Sequence, residues 1–260
     1  MLQVNTTIRE IRIVAIDENI TICLIKSLKS KLMQKLTKTI AALMLAIAVV
    51  CAEGCKKHND GNGSYNGHDY IDLGLPSGTL WATYNVGADT PEGYGDYFAW
   101  GETQVKYNYD WNTYHYGGMH HLTKYCSSPS YGYNGFTDNL TTLQPKDDAA
   151  KANWGRKWRT PTKEQWQELY NNTTSQWTEQ NGVEGRMFTA ANGASLFLPA
   201  TGYRLDRNLY GAGDRGFYWS QSLCTDSPNG AWIFYFLSIN FNLIEDMRCQ
   251  GVSVRPVCEN

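Results

Sequence analysis

The first 64 residues contain no phenylalanine, tryptophan or tyrosine, although these three make up 13% of the 260-residue chain. A stretch without aromatics has little with which to fill a globular core, so the chain reads as two different materials joined end to end. No uninterrupted apolar run reaches the roughly 20 residues that a membrane-spanning helix needs. There is no basic excess either: 23 Lys and Arg stand against 25 Asp and Glu, a formal net charge of -2. Lys and Arg form no stripe interleaved with aromatics, which argues against a nucleic-acid partner. Motifs of catalysis are missing too, with no G-x-S-x-G elbow, H-E-x-x-H, P-loop or G-x-G-x-x-G after a strand. What is present is a hydrophobic share of 42% with 18% charged residues, enough to bury a core and incompatible with disorder throughout.

The longest apolar run is IAALMLAIAVV, from Ile40 to Val50, preceded by Lys35 and Lys38 and followed by small residues. Those are the parts of a secretory signal peptide. Gly54 directly precedes Cys55, and Lys56, Lys57 and the polar run HNDGNGSYNG follow. This resembles the lipobox of bacterial lipoproteins, which implies lipidation of Cys55, with Cys51 the poorer candidate. Translation from Met33 would give a signal peptide of ordinary length and make the upstream residues artefactual. The expected organisation is a leader and lipoprotein signal peptide over 1–54, a flexible linker over 55–67, and one domain over 68–260. The chain from Cys55 onward carries 21 acidic and 16 basic residues. Cys126, Cys224, Cys249 and Cys258 remain after the anchor, with three possible pairings in an oxidising compartment or a role as buried free thiols.

Beyond the linker, short apolar runs are broken by Gly, Pro, Asn and Asp with little helical period. TLWATYNV reads as a strand with GDYFAWG as its partner, and SLFLPA, GFYWSQS, AWIFYFLS and GVSVRPV read as further strands. Tyr107 to Phe136 has too few aliphatics for regular core elements and reads as a long loop packed by its aromatics. Two helices are expected. One runs from Asp147 to Trp154, with Asp147 and Asp148 in its first turn and Gly155 as its stop. The other has Thr160 as N-cap and Pro161 at its first position, with Trp166, Leu169 and Tyr170 on one face. Strands, then helices, then more strands make the fold class α+β.

The segments YIDLGLPSGTLWATYNVGA, GDYFAWGET, NWGRKWRTPTKEQWQEL, FLPATGYR, GFYWSQS and GVSVRPV, in that order, resemble the Fibrobacter succinogenes major paralogous domain of exported Bacteroidetes lipoproteins. The resemblance spans nearly all of residues 68–258. It implies a C-type lectin-like fold with two helices, small twisted antiparallel sheets and long loops, and an outer-membrane lipoprotein at the cell surface or on its periplasmic side. It does not carry over calcium: the nearest fragments, Gln144-Pro145-Lys146 and Asp110-Trp111-Asn112, have the wrong identity and order. His115, His120 and His121 cluster loosely but lack the further ligands a zinc site needs, so no metal or other cofactor is expected. Some members of the fold group generate formylglycine through reactive cysteines. No motif around Cys249 or Cys258 matches them, so an enzyme is not expected.

The most distinctive segment is AWIFYFLSINFNLIEDMRCQG, Ala231 to Gly251. Alternation places Trp232, Phe234 and Phe236 on one face of a strand and Ala231, Ile233, Tyr235 and Leu237 on the other. The following residues mix apolar and polar types without a clean period, as a loop used for binding would. The expected contact residues are Ile233, Tyr235, Leu237, Ile239, Asn240, Asn242, Ile244, Glu245, Asp246 and Met247. The partner would be a protein or a glycan, with the membrane reached through the lipid anchor alone. In relatives this region is often rich in Asn, and some lectin-like proteins ending this way are targets of diversity-generating retroelements. Adenine randomisation of an Asn codon yields residue types found at Ile233, Tyr235, Leu237, Ile244 and Asp246. Glu245 and Met247 would need Lys codons in the template. The alternative reading is a structural or adhesive subunit that uses the same face for assembly.

Overall fold

The computed structural model describes residues 62–259; the leader, Cys55 and the first part of the linker lie outside them. Among the described residues, sixteen strands and two α-helices make a mixed α+β domain. The strands open with β1 (Gly63–Tyr65), β2 (His68–Asp72), β3 (Leu80–Ala82) and β4 (Tyr97–Phe98), then β5 (Gly117–Gly118) and β6 (His121–Leu122). The helices α1 (Ala149–Trp154) and α2 (Lys163–Asn171) follow, and then β7 (Thr173–Gln180), β8 (Val183–Ala190) and β9 (Ser195–Pro199). The chain ends with β10 (Tyr203–Leu205), β11 (Asn208–Tyr210), β12 (Gly216–Leu223), β13 (Gly230–Phe236), β14 (Phe241–Met247), β15 (Val252–Ser253) and β16 (Val257–Cys258).

A five-stranded sheet, ordered β14-β13-β12-β15-β4, divides the interior. One face packs on Trp100, Trp154, Trp158 and Val254, with Trp219, Ala231 and Ile233 contributed by the sheet. The other packs on Trp81, Trp166, Leu169 and Phe188, with Tyr218, Phe234 and Phe236 from the sheet. Burial on both sides explains why β13 and the first half of β12 are nearly continuous apolar runs rather than alternating ones. A second sheet, β1-β2-β3-β16, joins the last strand of the chain to the first ones.

The helices are placed by their caps. The Asp148 carboxylate accepts the amides of Ala150 (2.9 Å) and Lys151 (3.3 Å) at the start of α1, and also the Thr160 hydroxyl at 2.7 Å. Thr160 is therefore a tether between the two helices rather than the cap of the second. The cap of α2 is Thr162, in a reciprocal box with Gln165. Trp166 then stacks on Phe234, ring centroids 4.9 Å apart.

Four other expectations change. Residues 63–65, expected in the linker, are strand β1, so the ordered domain begins earlier than 68. Strand β4 pairs with β15, not with β3, whose partners are β2 and β16. The hairpin of β7 and β8 was not anticipated because its alternation is mostly polar. Its Asn181-Gly182 turn, both residues at positive φ, is the sequence signal that marks it. Residues 241–247 form strand β14, paired residue by residue with β13, rather than a loop. Tyr107 to Phe136 holds only two-residue strands and a short 3-10 turn and is packed through Tyr109, Tyr114, Leu122 and Cys126.

Trp219 is 1% exposed and donates its indole N–H to the Phe98 carbonyl at 2.7 Å, linking β12 to β4. Trp219→Ala is expected to cost roughly 3–5 kcal/mol in denaturant unfolding, and a loss below about 1 kcal/mol would contradict this core assignment.

Candidate functional site

The expected contact segment is a β-hairpin at one end of the five-stranded sheet, with β14 as its edge. Its turn is built rather than loose. The Leu237 amide donates to the Asn240 carbonyl at 2.8 Å. Beneath it the buried Arg186, on β8, donates to the Leu237 and Ser238 carbonyls at 2.7 and 3.1 Å and to the Ser175 hydroxyl at 3.0 Å. The guanidinium also faces the Phe241 ring at 5.3 Å. An Arg from 51 residues upstream thus fixes the backbone that presents the tip. Nothing in the sequence near Arg186 signals that role.

The tip and edge are the exposed part. Ile239 is 86% exposed, and Asn240, Asn242 and Glu245 are exposed beside it. Tyr235, Leu237, Ile244, Asp246 and Met247 are half-buried. Ile233 is a correction: it is completely buried opposite Ile244 in the core and is not available for contact. The strand alternation was read properly, but both of its faces are covered at the centre of β13, which sequence alternation alone does not reveal.

Tyr235 is the start of an aromatic run that draws in residues not anticipated from the sequence. It meets Phe217 edge-on at 5.0 Å, Phe217 meets Tyr203 at 4.8 Å, and Tyr203 stacks on the exposed Tyr210 at 5.6 Å. On the opposite face of the hairpin, Lys163 lies 3.2 Å from the Trp232 ring centroid, and Glu245, across from Trp232, accepts the Cys224 thiol at 2.8 Å.

The free edge of β14 is partly closed by its own side chains. The Asn242 side-chain oxygen Oδ1 accepts the Leu243 amide at 2.8 Å, and the Asp246 carboxylate accepts the Met247 amide and the Gln250 side chain, each at 2.8 Å. Occupied amides are poor templates for a further strand, so this edge resists strand addition. Burial raises the Asp246 carboxyl to about 6, against the opposing pull of its two hydrogen bonds and with a further upward push from Glu245.

The three loop histidines each keep to an aromatic neighbour: His115 against Tyr116, His120 against Tyr131 and His121 against Tyr133. Among the described residues, no group of three His, Cys, Asp or Glu is placed to hold a metal ion. All four cysteines of the domain are buried free thiols. Burial pushes Cys249 up to about 12 and Cys258 up to about 11. A thiol held that high carries little thiolate at neutral pH and is a weak nucleophile.

The Asp246 shift has a defined sign. Its folded carboxyl binds a proton more tightly than the unfolded one, so stability falls as pH rises from about 4 to about 6 and stays lower above. Asp246→Asn keeps the acceptor oxygen without the charge. It is expected to raise stability at pH 7.5 by on the order of 2 kcal/mol, discounted for residual solvent contact, and to flatten the slope between pH 4 and 6. Lower stability of the variant at pH 7.5 would reverse this account.

Comparisons with protein-family models, curated proteins and solved structures give no match to this chain.

Proposed function

We propose that this chain is an exported lipoprotein whose C-type lectin-like domain is a non-catalytic binding module, with the hairpin of β13 and β14 as its contact surface. The observation that carries the reading is the hairpin tip. Ile239 stands 86% exposed between polar neighbours on a turn that the buried Arg186 holds by its carbonyls. A rigid turn presenting an apolar side chain loses little entropy when a partner covers it. The Tyr235 to Tyr210 run and the exposed Asn240 and Asn242 extend this surface with ring faces and amides, which suit protein and glycan partners alike. Raised thiols support a binding module over an enzyme of the formylglycine-generating kind.

Diversification by a retroelement belongs to this reading, and the fold says where it can be tolerated. Sequencing codons 231–250 and the flanking DNA in many sister cells is expected to find substitutions at Tyr235, Leu237, Ile239, Asn240, Asn242, Ile244 and Glu245. Phe234, Phe236 and Arg248, all at 0% exposure, should be invariant. An invariant segment with no nearby repeat or reverse-transcriptase gene removes diversification. Under that result, a melting temperature that rises with protein concentration would favour the assembly subunit instead.

The anchor is tested separately. Labelled palmitate is expected to enter the protein when it is expressed in a bacterium that processes lipoproteins, and Cys55→Ala should abolish labelling while Cys51→Ala preserves it. Labelling that survives Cys55→Ala would move or remove the anchor.

A further inference from the structure

Away from the hairpin, the segments around Gly101, His115 and Asp147 border an open cavity of about 290 Å³. Its lining includes Glu102, Tyr116 and Lys146 as well. Tyr116 is fixed by its hydroxyl, which donates to Asp147 at 2.7 Å. The ring fits because residue 101 is glycine at φ +82°, where a Cβ would come within 3.1 Å of it.

The polar groups are unevenly satisfied. One oxygen of Glu102 accepts both the Lys106 ammonium (2.9 Å) and the His115 amide (2.8 Å). Its other oxygen has no partner among the described residues, although the side chain is only 11% exposed. Asp147 has one oxygen occupied by Lys124 and Tyr125, and the other takes the Tyr116 hydroxyl alone. A carboxylate oxygen can accept more than one bond. The lining therefore offers open acceptors on two carboxylates, and Lys146, exposed and in no ion pair among the described residues, offers donors.

Charge decides what fits. Each carboxylate already has its own ammonium, Lys106 for Glu102 and Lys124 for Asp147, and Lys146 adds an uncompensated positive charge. A cationic amine or a metal ion would meet a net positive surround. A purely anionic ligand would face the two carboxylates. A neutral molecule with several hydroxyls can donate to the open acceptors, accept from Lys146 and lay an apolar ring face on Tyr116 or His115. The volume suits one six-membered ring with its substituents, just below the usual range for drug-sized ligands.

We propose that this cavity binds a single neutral polyhydroxylated ring of hexose size, with Glu102 accepting from adjacent hydroxyls and Lys146 donating at the rim. The site is separate from the hairpin, and it stands whether or not the hairpin is a binding surface.

The test is ligand-observed NMR and calorimetry on the intact chain with glucose, galactose, mannose and N-acetylglucosamine, alongside methylamine and putrescine as cationic probes. Saturable binding of at least one sugar is expected, with Kd on the order of 1 mM as befits one small ring. Glu102→Gln should weaken it about tenfold, the loss of one charge-assisted contact, and Lys146→Met by a few-fold. Sugar binding that is lost in Tyr235→Ala but kept in Glu102→Gln and Lys146→Met would place the sugar on the hairpin and overturn the cavity. Lys146 is exposed, so its variant keeps the test sound even if Glu102→Gln lowers the melting temperature. Absence of saturation by every sugar at 100-fold that concentration, or equal affinity in wild type and both variants, would overturn the site. Binding of the amines in place of the sugars would overturn the ligand class.

Discussion

The guanidinium of Arg248 ties together the long aromatic segment, the turn before β13 and the end of β14. It is completely buried and has no carboxylate partner among the described residues. Its donors go to the Tyr114 hydroxyl and to the carbonyls of Lys124, Tyr125 and Pro228, at 2.7–3.1 Å. Its flat face lies among the rings of Trp100, Tyr114 and Tyr125 at 4.9–5.8 Å. A buried charge is costly unless its hydrogen bonds are supplied, so those carbonyls must stay where they are. The long segment from Tyr107 to Phe136, short of aliphatics, takes its shape from that requirement. The end of β14 is fixed by the same side chain.

Arg186 and Arg255 repeat the device elsewhere. Arg186 fixes the turn of the candidate contact hairpin, and Arg255 donates to Asn85 and the Ala82 carbonyl at 2.8 and 3.1 Å, securing the approach to β16. Burial lowers Arg255 only to about 10, so it stays charged at neutral pH. Three buried cations bound chiefly by carbonyls, hydroxyls and an amide make a scaffold in which irregular backbone is held in register. On such a scaffold the exposed side chains of the hairpin are free to differ in kind without altering the backbone that carries them.

Much of the regular structure was legible because it rests on local chemistry. Gly155 ends α1 as expected, and Trp166 and Leu169 lie on the buried face of α2. Thr160 was misread because two candidate caps lie two residues apart, and only the position of Asp148 decides which hydroxyl serves the helix and which serves the tether. β14 was misread because its two faces meet different surroundings. Phe241 and Leu243 pack toward Phe234, whereas Asn242 and Asp246 turn to backbone amides beside them, so no clean period survives in the sequence.

By itself the sequence determined the class α+β, the places of two short helices, the central-sheet strands other than β14 together with β3, β9 and β16, and a C-terminal segment with polar and apolar residues mixed. These follow from periodicity, caps and turn residues, which act over a few positions. Only the tertiary structure decided that Ile233 is core while Ile239 is exposed, that Arg186 supports the tip, and that Glu102, Tyr116 and Asp147 share one cavity. Each of those depends on which distant segment covers a given face. A chain's local pattern does not encode that, because burial is a property of the neighbour as much as of the residue.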